Sequence, residues 1–188
     1  MNWHQVCLSE CTPQPWRNGG GLTHEMAAWP DAINWIWRVS VARIERNGAF
    51  SSFDGVQRWF AVLTGQGVEL IWPTYRKVLT PQTPPLQFAG TPACHAHLIA
   101  GPTLDFNLMT RGKHALLTSQ SEKVDHGTWP ANAFVGVFAR DDCEWTRDGH
   151  RVIQQGQSLH WSSLRISTSW SWLNGKGFIF VIPMEDQT

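Results

Sequence analysis

The chain has 188 residues, with 15 basic and 15 acidic side chains, zero formal net charge, 42 % hydrophobic and only 16 % charged residues. That balance excludes a disordered chain, which needs many charges and few apolar groups, and it offers no basic run or excess of the kind that binds nucleic acid. No apolar run approaches the roughly 20 residues that span a bilayer, so no membrane partner is expected either.

The N-terminal stretch "MNWHQVCLSECTPQP" lacks the basic start and apolar middle of an export signal, and a cytoplasmic location is expected. Cys7, Cys11, Cys94 and Cys143 are then expected as reduced thiols, and Cys7 and Cys11 have no second pair at zinc spacing. Next comes "PQPWRNGGGLTHEM", where Arg17 and Asn18 precede three successive glycines. Such a stretch either turns tightly on itself or brings its backbone close to a ligand.

From residue 34 onward the apolar pattern has period two and is broken by Gly or Pro at short intervals, which predicts strands. The segment 34–46 reads as a strand with Trp35, Trp37, Val39 and Val41 on one face. Asn47-Gly48 and Asp54-Gly55 mark a loop, and 57–72 reads as a hairpin turning at Thr64-Gly65-Gln66-Gly67. Further strands are predicted at 86–89, 93–99, 104–109, 113–118, 133–139, 143–147, 150–154, 163–168 and 177–183, with a short one around Trp161. The segments 58–89 and 133–161 share a plan of apolar strand, polar turn, second strand and a later strand carrying an aromatic (Phe88, Trp161). Twelve Trp and nine Phe among such strands fit an all-β jelly-roll barrel or sandwich with a possible internal repeat.

Three blocks resemble the HutD/Ves family: "PWRNGGGLTHEM" (15–26), "WRVSVARIERNGAFSSFDGVQRW" (37–59) and "GPTLDFNLMTRG" (101–112). They follow the family's order and spacing. The resemblance implies a cupin-like double-stranded β-helix, two cupin-like halves in one compact domain, from a bacterial cytoplasmic protein. For members that accompany histidine-utilisation genes it implies sensing or buffering of a pathway intermediate, with urocanate and formylglutamate as candidates. For others it implies a stress or cold response. No catalytic activity comes with it. His24 departs from a commoner basic residue, and 113–188 resembles the family only loosely.

Catalytic signatures are absent: no Gly-x-Ser-x-Gly, no His-Glu-x-x-His and no phosphate-binding loop with its Lys. His95 and His97 in "CHAHLIAG" would share one face of a strand, but two imidazoles need further ligands and no Glu follows closely. Polar residues inside the apolar blocks carry more information. Arg38 interrupts "WIWRVSV", Arg58 precedes "WFAVL", and Asp105 and Asn107 alternate with Phe106 and Leu108. One reading is structural, with Arg38 paired to Asp105 or Glu25 and Asn18 and Asn107 satisfying backbone groups. The other notes that Arg17, Arg38 and Arg58 outnumber Asp105 and Glu25, which leaves a guanidinium for an anion, best a carboxylate. Backbone N–H groups at Gly19 and Gly20 would approach the same anion.

The leading expectation is therefore a binding protein for a small anionic metabolite, with no cofactor. The alternative is a metal-dependent cupin enzyme using His95 and His97 beside Cys94. A third possibility is an interaction protein whose exposed aromatics, such as Trp170 and Trp172, form a partner or homodimer surface. Elemental analysis of the purified protein is expected to give no stoichiometric Fe, Zn, Mn or Ni. One metal per chain, lost on His97→Ala, would restore the enzyme.

Overall fold

The computed structural model describes residues 2–121 and 123–184. Strand β1 (His4–Cys7) is followed by a 3-10 turn at Leu8–Glu10. Next come β2 (Pro13–Pro15), β3 (Gly21–Trp29), β4 (Trp37–Ile44), β5 (Gly48–Ala49), β6 (Val56–Thr64), β7 (Val68–Ile71), β8 (Arg76–Leu79), β9 (Leu86–Ala89), β10 (His95–Leu98) and β11 (Thr103–Arg111). The rest is β12 (Leu116–Gln120), β13 (Asp125–Trp129), β14 (Ala133–Ala139), β15 (Cys143–Arg147), β16 (His150–Gln154), β17 (Ser158–Leu164), β18 (Thr168–Asn174) and β19 (Gly177–Pro183). No helix among the described residues is long and apolar enough to cross a membrane.

These strands form two compact units. In residues 11–113, one sheet has the order β2-β3-β4-β11-β6-β9 and the other β5-β10-β7-β8. Counting from β4, this places the first, eighth, third and sixth strands in one sheet and the second, seventh, fourth and fifth in the other. That is the jelly-roll order of the cupin fold. The second unit takes the described residues from 114 onward together with those of the N-terminal ten. Its sheets run β1-β17-β14-β19-β12 and β13-β18-β15-β16, which is the same order counted from β12. Segments 58–89 and 133–161 each contribute the third to sixth strands of their unit.

The two interiors are filled differently. In the first unit Ile44, Phe60, Val62 and Phe88 of the larger sheet pack with Val68, Leu70, Leu79 and Ala96 of the smaller one. In the second, small residues such as Ala133 and Ala139 leave room for Trp129, Trp145 and Trp172, with Trp3 and Trp170 packed against them. Trp172 is fully buried, and Trp170 is half-buried and stacked on Trp129 at 6.1 Å between ring centroids. They form no exposed aromatic patch, so the proposed dimer surface loses its basis: both rings point into the core that the small residues open.

Several strand expectations also need correction. The strand expected at 163–168 is broken: 163–164 end β17, 168 opens β18, and the residues between them form a bend in which Ile166 is 64 % exposed. The strand read at 34–46 begins only at Trp37. Trp35 lies outside it and packs with Val56 and Met109, away from the face of Trp37, Val39 and Val41. Strand β3 has no apolar alternation to betray it, being mostly half-buried with a bulge between Glu25 and Ala27.

One polar group anchors the tryptophan-rich interior. Gln154 is fully buried; its Nε2 donates to the carbonyls of Val137 and Ser158 at 3.0 Å each, and its Oε1 accepts from Trp145 Nε1 at 2.9 Å. Gln154→Leu keeps the bulk and strands the indole donor. It is expected to cost about 2–4 kcal/mol in thermal or denaturant unfolding, the sum of lost bonds and an unsatisfied buried group. A loss below about 1 kcal/mol would show that the bonds are replaced by water.

Candidate functional site

Strand register assembles the site in the six-stranded sheet. Arg58 on β6 lies opposite Met109 on β11, and Met109 lies opposite Arg38 on β4. The next row on the same face is Phe60, Asn107, Ser40 and Glu25, and the one after it Val62, Asp105, Ala42 and Thr23. Directly opposed residues share a face, so this face carries every polar residue that interrupts the apolar blocks. It is also the face of Phe60, Val62 and Phe88, the packed interior of the jelly roll. The opposite face, with Trp37, Val39, Val41, Phe106 and Leu108, is fully buried as well.

A cavity of about 690 Å³ opens into this interior, and Arg17, Asn18, Arg38, Arg58 and Asn107 all line it. Arg58 is 8 % exposed. Its Nη2 donates to Asn107 Oδ1 at 2.8 Å, and its guanidinium sits over Phe50 at 4.7 Å and Phe88 at 5.3 Å. Its Nε has no partner, and no carboxylate pairs with it among the described residues. Burial lowers its pKa to about 10, with the charge of Arg38 pushing the same way, so it stays cationic at neutral pH.

Arg38 is better compensated. Its Nη1 is 3.7 Å from Glu25 Oε2, both side chains being 21 % exposed. Its Nη2 meets Met109 Sδ at 3.5 Å, and its guanidinium lies over Trp35 at 5.1 Å and Phe53 at 5.9 Å. Burial lowers its pKa while Glu25 opposes that shift, and its Nε is also without a partner. Ring faces hold both guanidiniums in place without neutralising them. Of the two partners foreseen for Arg38, the structure selects Glu25.

Residues 8–171 match the model of the HutD family. The chain belongs to the HutD family. Protein Ves of Escherichia fergusonii is 37 % identical over 98 residues, 51 % of each chain. An uncharacterized 21.2 kDa protein in the hutC 3' region of Pseudomonas putida is 35 % identical over 112 residues, 58 % of this chain and 59 % of that one. The chain thus spans about half the length of the curated relatives it matches. The solved HutD of Pseudomonas fluorescens SBW25, in a formate condition, superposes over 98 % of this chain and 100 % of its own, with a TM-score of 0.86 and 27 % identity. The bacterial pirin YhhW from Escherichia coli, in complex with nickel(II), has a TM-score of 0.66 at 9 % identity over 98 % of this chain and 100 % of its own, and shares the fold alone.

Other predicted residues of this HutD-family chain lie outside the cavity lining. Asp105 is completely buried; Oδ2 accepts from Thr103 Oγ1 at 2.7 Å, and Oδ1 has no partner. It sits two rows from the arginines and pairs with neither. Glu25 acts only through Arg38. Gly19 and Gly20 do not offer their N–H groups to a ligand, because the turn consumes them. Gly19 N–H donates to the Trp16 carbonyl at 3.0 Å, and Gly20 N–H to Asn18 Oδ1 at 3.0 Å. Two glycines have separate reasons to be there: Gly19 has φ +67°, and a Cβ on Gly21 would lie 2.2 Å from the Arg43 carbonyl oxygen on the adjoining strand. The glycine run therefore packs a tight turn against β4 and leaves Arg17 exposed on the rim. Asn18 lines the cavity, but its Nδ2 is tied to the Ala49 carbonyl at 3.3 Å.

His95 and His97 share the exposed face of β10, while Cys94 and Ala96 are buried. The three side chains do not converge. No group of three or more His, Cys, Asp or Glu able to hold a metal occurs among the described residues. The cavity's own donors are cationic or neutral, so the lining does not fit a metal ion. Sequence reasoning missed Ser40, Met109, Trp16, Phe50 and Phe53, which also line the cavity. Ser40 and Met109 were within reach, each two residues along a strand from a residue already singled out.

Asp105 provides a pH test. Burial raises its pKa from 3.8 to about 8. Between those values the folded chain keeps a proton that the unfolded chain has lost. Stability from this group is full below pH about 4 and is lost as the pH rises to about 8. Asp105→Asn keeps the shape and cannot ionise. It is expected to melt several degrees above the parent at pH 8, with the gap closing on acidification. A gap independent of pH would show a carboxylate already ionised in the fold.

Proposed function

We propose that the cavity binds a small carboxylate metabolite and that the protein senses or buffers that compound without converting it. The observation that carries this reading is Arg58, a buried guanidinium on the cavity wall with one amide oxygen and two ring faces as partners but no carboxylate. A buried cation without a counter-charge is costly, and an entering carboxylate relieves that cost with two charge-assisted hydrogen bonds in the planar geometry a guanidinium offers. The low-dielectric surroundings strengthen the pairing over its value in water.

Further support comes from the rest of the lining. Arginine, asparagine, serine, threonine and aromatic side chains bind and orient an anion, and the cavity includes no histidine, cysteine, aspartate or glutamate to act as base or nucleophile. Among relatives, one is named for its place in the hutC 3' region and another was solved in a formate condition, formate being the smallest carboxylate. On family analogy the metabolite belongs to histidine utilisation.

Thermal shift tests this. A ligand at about 100 times its dissociation constant adds roughly 2.7 kcal/mol to the native state. At about 2–4 °C per kcal/mol for a chain of this size, a true ligand raises the melting point by about 5–10 °C. Sodium chloride at equal ionic strength should not. Arg38→Met, at a partly exposed position, is expected to stay folded and lose most of the shift. If formate, glutamate, formylglutamate and urocanate all leave the parent unmoved, or if Arg38→Met keeps the full shift, the reading fails.

A further inference from the structure

We infer that the turn at residues 16–18 is a gate over the cavity, jointed at Gly19 and latched across the mouth by Asn18 and Trp16. The inference rests on the reading of the cavity as a ligand pocket and concerns how that pocket is entered.

Exposure locates the mouth. The six-stranded sheet supplies the floor, where Ser40, Ala42, Arg58, Asn107 and Met109 are buried. All of the exposed lining belongs to two other segments, residues 14–18 and 49–51, so the way in runs between them. Arg58 lies behind this line. Its guanidinium sits over the Phe50 ring at 4.7 Å, and Phe50 stands edge-on to Trp16 at 6.0 Å between centroids. An anion bound for Arg58 has to pass the Trp16–Phe50 pair.

The contacts that span the mouth are weak. Asn18 Nδ2 donates to the Ala49 carbonyl at 3.3 Å, a long bond open to water. Trp16 and Phe50 add one edge-to-face ring contact. The strand behind the turn holds it loosely too. β2 is an edge strand of three residues, exposed throughout, and Pro13 and Pro15 bring no N–H to its pairing with β3.

One lip is fixed and the other is jointed. Phe50 N–H donates to the Cys94 carbonyl at 2.9 Å and Phe53 N–H to the Gly90 carbonyl at 3.1 Å, which ties down the 49–53 side. On the other side the base of the turn is also tied. The Gly20 carbonyl accepts from the N–H groups of Glu45 and Arg46 at 2.9 and 3.1 Å, and Gly21 is pressed against the Arg43 carbonyl. One residue earlier the restraint ends. Gly19 is exposed, has φ +67°, and has open space where a Cβ would stand. Swinging outward there exchanges the bonds of Trp16 N–H to the Gly21 carbonyl and of its indole to Thr23 Oγ1 for bonds to water. Such a gate acts on entry and exit together.

The experiment locks the gate. A Cβ at Gly48 would meet Asn18 Nδ2 at 3.5 Å and nothing nearer, so Asn18→Cys with Gly48→Cys sets two thiols on facing lips. The probe is whichever of formate, glutamate, formylglutamate and urocanate gives the parent its largest thermal shift, and stopped flow measures its association and dissociation rates. Oxidation of the double variant is expected to slow both rates about tenfold or more, and reductant to restore them, while the parent responds to neither. Asn18→Ser keeps an oxygen for the Gly20 N–H but falls short of Ala49, and should raise both rates about threefold. With no acid present, the parent's Trp16 and Gly20 amides should exchange with deuterium together, about tenfold faster than the Glu45 and Arg46 amides that hold the base. Rates unmoved by oxidation, or by Asn18→Ser where the disulfide does not form, would overturn the gate and leave the pocket reading standing. A change in dissociation alone would overturn it too, marking Asn18 as a ligand contact. If none of the acids binds, the pocket reading falls, and the exchange decides the gate: equal protection of the Trp16 and Glu45 amides overturns it.

Discussion

A guanidinium removed from water without a carboxylate beside it has to be held by something else, and around Arg58 that requirement organises the whole end of a jelly roll. Asn107 on the adjoining strand supplies an oxygen, and Phe50 and Phe88 supply ring faces. For these groups to meet, β6 must pair with β11 and β9 in one register and no other, since a one-residue slip would send Arg58 to the opposite, apolar face. The same register places Arg38 in the row and brings Glu25 to it from β3. The turn at Gly19–Gly21 then fixes how closely β3 and β4 approach, and so how far Arg17 stands from the arginines below it.

The alternation of apolar and polar residues made much of this legible in the sequence. Strands at 86–89, 133–139, 143–147, 150–154 and 177–183 have the same bounds in the structure because turn or loop residues close each of them. Arg38, Arg58 and Asn107 stood out for the converse reason, as polar groups where the pattern called for apolar ones. What was not legible depends on contacts distant in sequence. Trp16, Phe50 and Phe53 look like ordinary core aromatics until the fold brings them to the cavity. The glycine run looked like a cradle for an anion because its composition fits one. Only the hydrogen bonds to Trp16 and Asn18 show that its amides are already used. Asp105 and Asn107 sit two residues apart on the same face, yet one lines the cavity and the other lies sealed beyond it. Alternation gives the face but not the depth along it.

The two units show how little the strand order dictates what a barrel holds. Both follow the same jelly-roll sequence of strands. One keeps arginines and an open volume, whereas the other is packed with tryptophans around a saturated glutamine. The difference lies in side-chain volume: where the second unit has Trp129, Trp145 and Trp172 inside, the first has Ser40, Ala42 and Met109 on its wall. Function in such a fold is written on the interior surface and has to be argued there, residue by residue.

The choice of arginine over histidine for that surface has a consequence for the proposed anion site. Even after burial Arg58 loses its proton only near pH 10, so its charge is constant across the whole span in which an imidazole would switch. An anion site built on histidines fills and empties as its surroundings acidify or recover. One built on capped guanidiniums ignores that drift, and its occupancy is a measure of amount alone.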